Sequence, residues 1–78
     1  MKILEVVWFD AQSSMQLFSA ADAKKNFKPR ITTSVGYLVE DNKDYILLAF
    51  MKFGNDMFKH WQVIPKGMIK KQTVIKDK

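Results

Sequence analysis

Ile64-Pro65-Lys66-Gly67-Met68-Ile69 separates one extended segment from another and sets the reading of the chain. Pro65 has a fixed φ and no N–H for a sheet ladder, so no central strand runs through it. Gly67, two residues on, admits a tight turn. Before the turn, residues 59–64 alternate, with Trp61 and Val63 opposing Gln62 and Ile64. After it, residues 68–76 read as a fifth strand. Working backward, residues 45–53 form the most apolar run, Tyr45-Ile46-Leu47-Leu48-Ala49-Phe50-Met51, closed by Gly54-Asn55-Asp56. Residues 31–40 place Ile31, Thr33, Val35, Tyr37 and Val39 on one face, and Gly36 interrupts the other. A glycine inside a strand marks a bulge, a corner or a close backbone approach. Asp41-Asn42-Lys43-Asp44 is turn chemistry, so strands two and three form a hairpin.

The first strand covers residues 2–9, with Leu4, Val6 and Trp8 on one face and Ile3, Glu5, Val7 and Phe9 on the other. Residues 10–18 lack periodicity and read as a loop. Ser19 then fits a helix N-cap, Asp22 completes a weak capping box, and Pro29 ends the segment by about residue 28. A helix of one or two turns cannot stand alone, so it is expected to pack on the sheet. The expectation is a mostly β single domain over residues 1–78: five antiparallel strands, with one short helix between strands one and two. Only the last two or three residues read as a tail.

Seventy-eight residues leave room for one core, and no cysteine is present to staple it. Hydrophobic residues make up 47% of the chain, so a dense core or self-association must supply its stability. Both faces of strands one and three are apolar, and the short helix is too small to cover both. The expected solution is a homo-oligomer, most simply a symmetric dimer formed by strand pairing or through Phe50, Phe53, Met57 and Phe58. Charged residues break every apolar run well short of a membrane span, and Glu5 sits where a signal peptide would be apolar. No membrane association is expected, and a cytoplasmic location is the default.

The net charge of +5 is unevenly placed. Residues 1–56 carry seven basic and seven acidic side chains. Residues 57–78 carry Lys59, Lys66, Lys70, Lys71, Lys76 and Lys78 against Asp77 alone. Such a segment draws anions through its local field, or keeps an edge strand soluble. Lysine is a point charge and reads bases poorly, which argues against sequence-specific DNA recognition.

Catalytic chemistry has little to work with. His60 is the only histidine and has no partner at a useful spacing, so it reads as an ordinary loop or strand-edge residue. Asp41 and Asp44 read as turn formers rather than calcium ligands. Three glycines spread over positions 36, 54 and 67 make no phosphate loop. No enzyme activity, metal or cofactor is expected. What remains is binding. Turn amides at Lys66 and Gly67, with Lys70 and Lys71 nearby, can form an anion nest. Trp8, Tyr37, Phe58 and Trp61 can supply a stacking face for a base, although core filling is the commoner fate of aromatics.

The 64–69 stretch is similar to the 3₁₀ turn before the last strand of SH3-like and Sm-like barrels. The hairpin carrying Gly36 and Tyr37 resembles their bent central strands. The implied fold is a small five-stranded barrel of that kind. A narrower resemblance is to a group of small uncharacterised proteins encoded by tailed bacteriophages. It rests on Trp8 with Asp10, on Ser34-Val35-Gly36-Tyr37, and on Ile64-Pro65-Lys66-Gly67. The resemblance implies phage or prophage origin and brings no activity with it. Three functions are weighed. One is a non-enzymatic protein that sequesters a small anionic, nucleotide-like signal, such as a phage sponge against bacterial defence. Another is a nucleic-acid-binding barrel. The last is a protein-interaction module or inhibitor using the loop between strands three and four.

Overall fold

The computed structural model describes residues 1–11 and 13–77. Gln12, in the loop read at 10–18, and Lys78, in the expected tail, lie outside the described residues. The elements are β1 (Lys2–Asp10), α1 (Ala20–Asn26), β2 (Arg30–Asp41), β3 (Tyr45–Phe53), β4 (Met57–Pro65), a 3₁₀ turn (Lys66–Met68) and β5 (Ile69–Asp77). All five strands join one antiparallel sheet in the order β4-β3-β2-β1-β5. The sheet is open, with β4 and β5 as its edges. Asp77 pairs with Lys2, so β5 absorbs most of the expected tail.

One face of the sheet makes the core. Leu4, Val6 and Trp8 of β1 cluster with Ile46 and Leu48 of β3 and Ile64 of β4, with Leu38 and Ile69 at the margin. The alternation in β1 therefore sorts as read, with Ile3, Val7 and Phe9 facing away from this cluster. A polar chain crosses the same concave face. Trp8 Nε1 donates to Ser34 Oγ at 3.1 Å, and Ser34 Oγ donates to Gln62 Oε1 at 3.0 Å. Ser34 lies on β2 and Gln62 on β4, with β3 between them, so the sheet must curl for this bond to form. Ser34→Ala would leave the buried indole N–H without its acceptor. The expected loss is about 1–3 kcal/mol in denaturant unfolding, and a loss under about 0.5 kcal/mol would show the bond to be dispensable.

Gly36 lets β2 and β3 approach closely, since a Cβ there would stand 2.8 Å from the Ala49 carbonyl oxygen. Paired residues of β2 and β3 run only from Asp41↔Ile46 to Tyr37↔Ala49, with an irregularity between Leu38 and Glu40. Beyond that point β2 pairs with β1, and residues 51–53 of β3 pair only with β4. The sheet thus divides into two limbs, one of which is the β3–β4 ribbon.

The expected docking of the helix on the sheet is not what forms. No α1 residue is buried, and α1 makes no substantial contact with any strand. The reason lies in its composition: its apolar residues are Ala20, Ala21 and Ala23, too small to offer a stripe to the core. Its ends are nonetheless built as read. Ser19 Oγ accepts from the Asp22 N–H at 3.2 Å, and Phe27 caps the other end through its N–H to Ala23 O. Phe18 and Phe27 meet edge to face at 5.0 Å and give the 11–29 excursion its own small cluster. Met15 and Leu17 there are fully exposed.

Candidate functional site

Trp8, Tyr37, Trp61, Lys66, Gly67, Lys70 and Lys71 do not form one constellation. Trp8 is 6% exposed and belongs to the core, so its ring offers no stacking face. Lys66 is committed within the chain. Its ammonium pairs with Asp41 at 2.5 Å, and its N–H donates to Asp44 O at 2.8 Å. Asn42 Oδ1 accepts from the Asp44 and Tyr45 N–H groups at 2.9 Å each, which holds this turn in shape. The anion expected at the Lys66 turn is therefore the protein's own Asp41 carboxylate. Gly67 is exposed with open space around it. Lys70 and Lys71 lie exposed on β5, at the opposite edge of the sheet from Trp61.

Tyr37 and Trp61 do come together. Phe58 stands between them, its ring centroid 6.3 Å from that of Tyr37 and 5.8 Å from that of Trp61. Phe58 and Trp61 are three residues apart, a spacing that a regular strand sends to opposite faces. His60 resolves this. Its φ is 63°, the one positive value at a non-glycine among the described residues. The left-handed residue breaks the alternation of β4, and the two rings meet on one side. That conformation costs roughly 1–2 kcal/mol, which the ring contacts offset. The histidine set aside as an ordinary strand-edge residue thus shapes the aromatic row.

Two lysines that sequence reading passed over complete the arrangement. Lys52 Nζ lies 5.9 Å from the Tyr37 ring centroid, over its face. Ile3 pairs with Tyr37 on one side and with Lys76 on the other, which sets Lys76 two strands from Tyr37 in the same row. Met1, Ile3, Tyr37, Lys52 and Lys76 line a shallow hollow of about 230 Å³. The hollow is therefore lined by one aromatic ring and two lysines. Trp61, half exposed, extends the aromatic surface beyond it. A second hollow of about 330 Å³ lies beside α1, lined by Ser13, Ser14, Gln16, Phe18, Ala23 and Phe27, and has no charged side chain. Among the described residues, no cluster of His, Asp or Glu is placed to hold a metal ion, and no helix is long and apolar enough to cross a membrane. No family model, curated protein or solved structure matches the chain.

Proposed function

We propose that the chain is a non-enzymatic binding protein that captures a small anionic, nucleotide-like ligand in the hollow between Tyr37, Lys52 and Lys76. The observation that carries the reading is the placing of two lysines beside a partly exposed aromatic row. A base stacks on an aromatic face whatever its identity. A phosphate seeks a cationic point charge, and lysine supplies one without needing bidentate geometry. The hollow offers both within one small volume. The role is stoichiometric sequestration, and the phage-like pattern at Trp8, Asp10, Ser34–Tyr37 and Ile64–Gly67 favours a sponge for a bacterial defence signal, acting in the host cytoplasm. The curled five-stranded sheet with its 3₁₀ turn before β5 is read as an opened relative of the SH3-like or Sm-like barrels.

Calorimetric titration with cyclic nucleotides, ADP-ribose-type compounds and short oligonucleotides tests the proposal. A nucleotide from the panel is expected to bind, and Lys52→Glu with Lys76→Glu to weaken it at least tenfold, or about 1.4 kcal/mol. Lys70→Glu with Lys71→Glu is expected to leave that affinity within about twofold, because electrostatic attraction at an exposed, distant edge is screened. Equal binding by the Lys52/Lys76 variant, or binding by none of the nucleotides, would overturn the site. Binding confined to oligonucleotides, with a steep salt dependence, would instead support a nucleic-acid-binding role.

A further inference from the structure

We propose that two copies of this chain form a symmetric dimer through the tip of the β3–β4 ribbon, residues 50–57. The first ground is area. A compact chain of this mass exposes about 4,900 Å², whereas this protomer exposes 6,049 Å². The excess of roughly 1,100 Å², shared between the 11–29 excursion and the far end of the β3–β4 ribbon, compares with the 800 Å² or so that each partner contributes to a stable interface. The shape agrees. The Cα radius of gyration is 15.6 Å, with extents of 50 × 22 × 20 Å, against about 12 Å for a compact domain of 78 residues.

The excess is not spread evenly in chemical terms. A two-stranded ribbon is marginal in water by itself, and beyond Tyr37↔Ala49 the β3–β4 ribbon has lost β2 as a neighbour. That ribbon exposes Phe50, Met51, Phe53 and Met57, the last at 70%. Aromatic residues and methionine are the types enriched at the centres of protein interfaces. The charges select a second copy as the occupant. Asp56 is the lone acid between residues 50 and 61, and Lys52 and Lys59 flank it. A two-fold axis beside the ribbon sets the acid of each copy against a lysine of the other, the self-complementary pattern that an isologous contact requires. Lys66, Lys70 and Lys71 lie outside this segment, whereas Lys76 shares the hollow with Lys52. Lys52 belongs to both surfaces, whereas Phe50, Phe53, Asp56 and Met57 do not line the hollow, so the dimer is tested at those residues and not at the lysine.

Sedimentation equilibrium at micromolar concentration tests the dimer. The expected mass is about 18 kDa, twice the 9.1 kDa of the chain, and Phe53→Lys with Met57→Glu is expected to return it to the single-chain value with the far-ultraviolet circular dichroism retained. A wild-type mass of one chain would overturn the proposal. So would a variant that keeps both its fold and the dimer. Hydrogen exchange of the unmutated protein guards against a variant that fails to fold. On dilution through the dissociation range, amides of residues 50–57 are expected to lose protection while those of residues 13–18 stay unchanged. No concentration dependence at residues 50–57 would place the contact elsewhere. A dimer that binds no nucleotide would support this inference and refute the proposed site.

Discussion

Leu48→Ala is expected to lower the stability of the fold by about 2–5 kcal/mol, the range for emptying a buried leucine site. Leu48 is fully buried at the centre of β3, and its cluster is supplied by β1 and β4 as well as by its own strand. Its loss therefore loosens both sides of the curled sheet at once. A chain of 78 residues has only about 4–12 kcal/mol of total stability to draw on. The variant is expected to unfold at least about 10 °C below wild type. Urea denaturation followed by the fluorescence of Trp8 gives the free energy directly. A loss under about 1 kcal/mol would show that the concave face is not the main core.

Gly36→Val is expected to be comparably damaging, by overpacking instead of by a cavity. A Cβ at this position would stand 2.8 Å from the Ala49 carbonyl oxygen, 3.3 Å from the Phe50 ring and 3.4 Å from the Leu48 Cβ. The first contact is with backbone, which cannot rotate away. Overpacking of this kind costs about 1–3 kcal/mol or more, and valine adds two methyl groups to the clash. The variant is expected to lose about 3 kcal/mol or more of stability, read as a lowered urea midpoint. Gly67→Ala serves as the comparison, because nothing lies within 4 Å of its added Cβ. That change is expected to fall within about 0.5 kcal/mol of wild type. A folded Gly36→Val protein with an unshifted midpoint would refute the close approach of β2 and β3.

The strands, the helix cap and the last turn were legible because each is a local matter. Pro65 forbids a continuous strand, Ser19 offers a cap to Asp22, and Leu4, Val6 and Trp8 alternate. The choice of face was harder. Both faces of β1 are apolar, so nothing local separates Trp8, which is buried, from Phe9, which is 38% exposed. The lysines of the hollow were out of reach for a different reason. Lys76 nears Tyr37 because β1 lies between β2 and β5, with Ile3 paired to both. Strand order is a long-range property, and charge counted along the chain pointed to Lys70 and Lys71 instead. His60 was missed because a histidine in the left-handed region has no mark in the sequence as distinctive as glycine. Asp41 was read as part of the turn but closes β2 opposite Ile46, and its pairing with Lys66 depends on two segments 25 residues apart in the chain meeting.

The position of β1 bears on how the protein is made. It is the first strand in the chain, yet it lies inside the sheet, between β2 and β5, and its Lys2 is the register partner of Asp77. Contacts of such sequence separation place folding in the millisecond-to-second range typical of β proteins. Translation at about 5–20 residues per second takes roughly 4–16 seconds for 78 residues. During nearly all of that time, β1 has emerged without the strand that covers its second edge. Its Val6, Val7, Trp8 and Phe9 then form an unshielded apolar edge, open to chaperones and to other nascent chains. Closure of the sheet therefore waits on β5, the last of the five strands to be made, and β1 stands with one edge uncovered for seconds before a step that itself takes milliseconds to seconds.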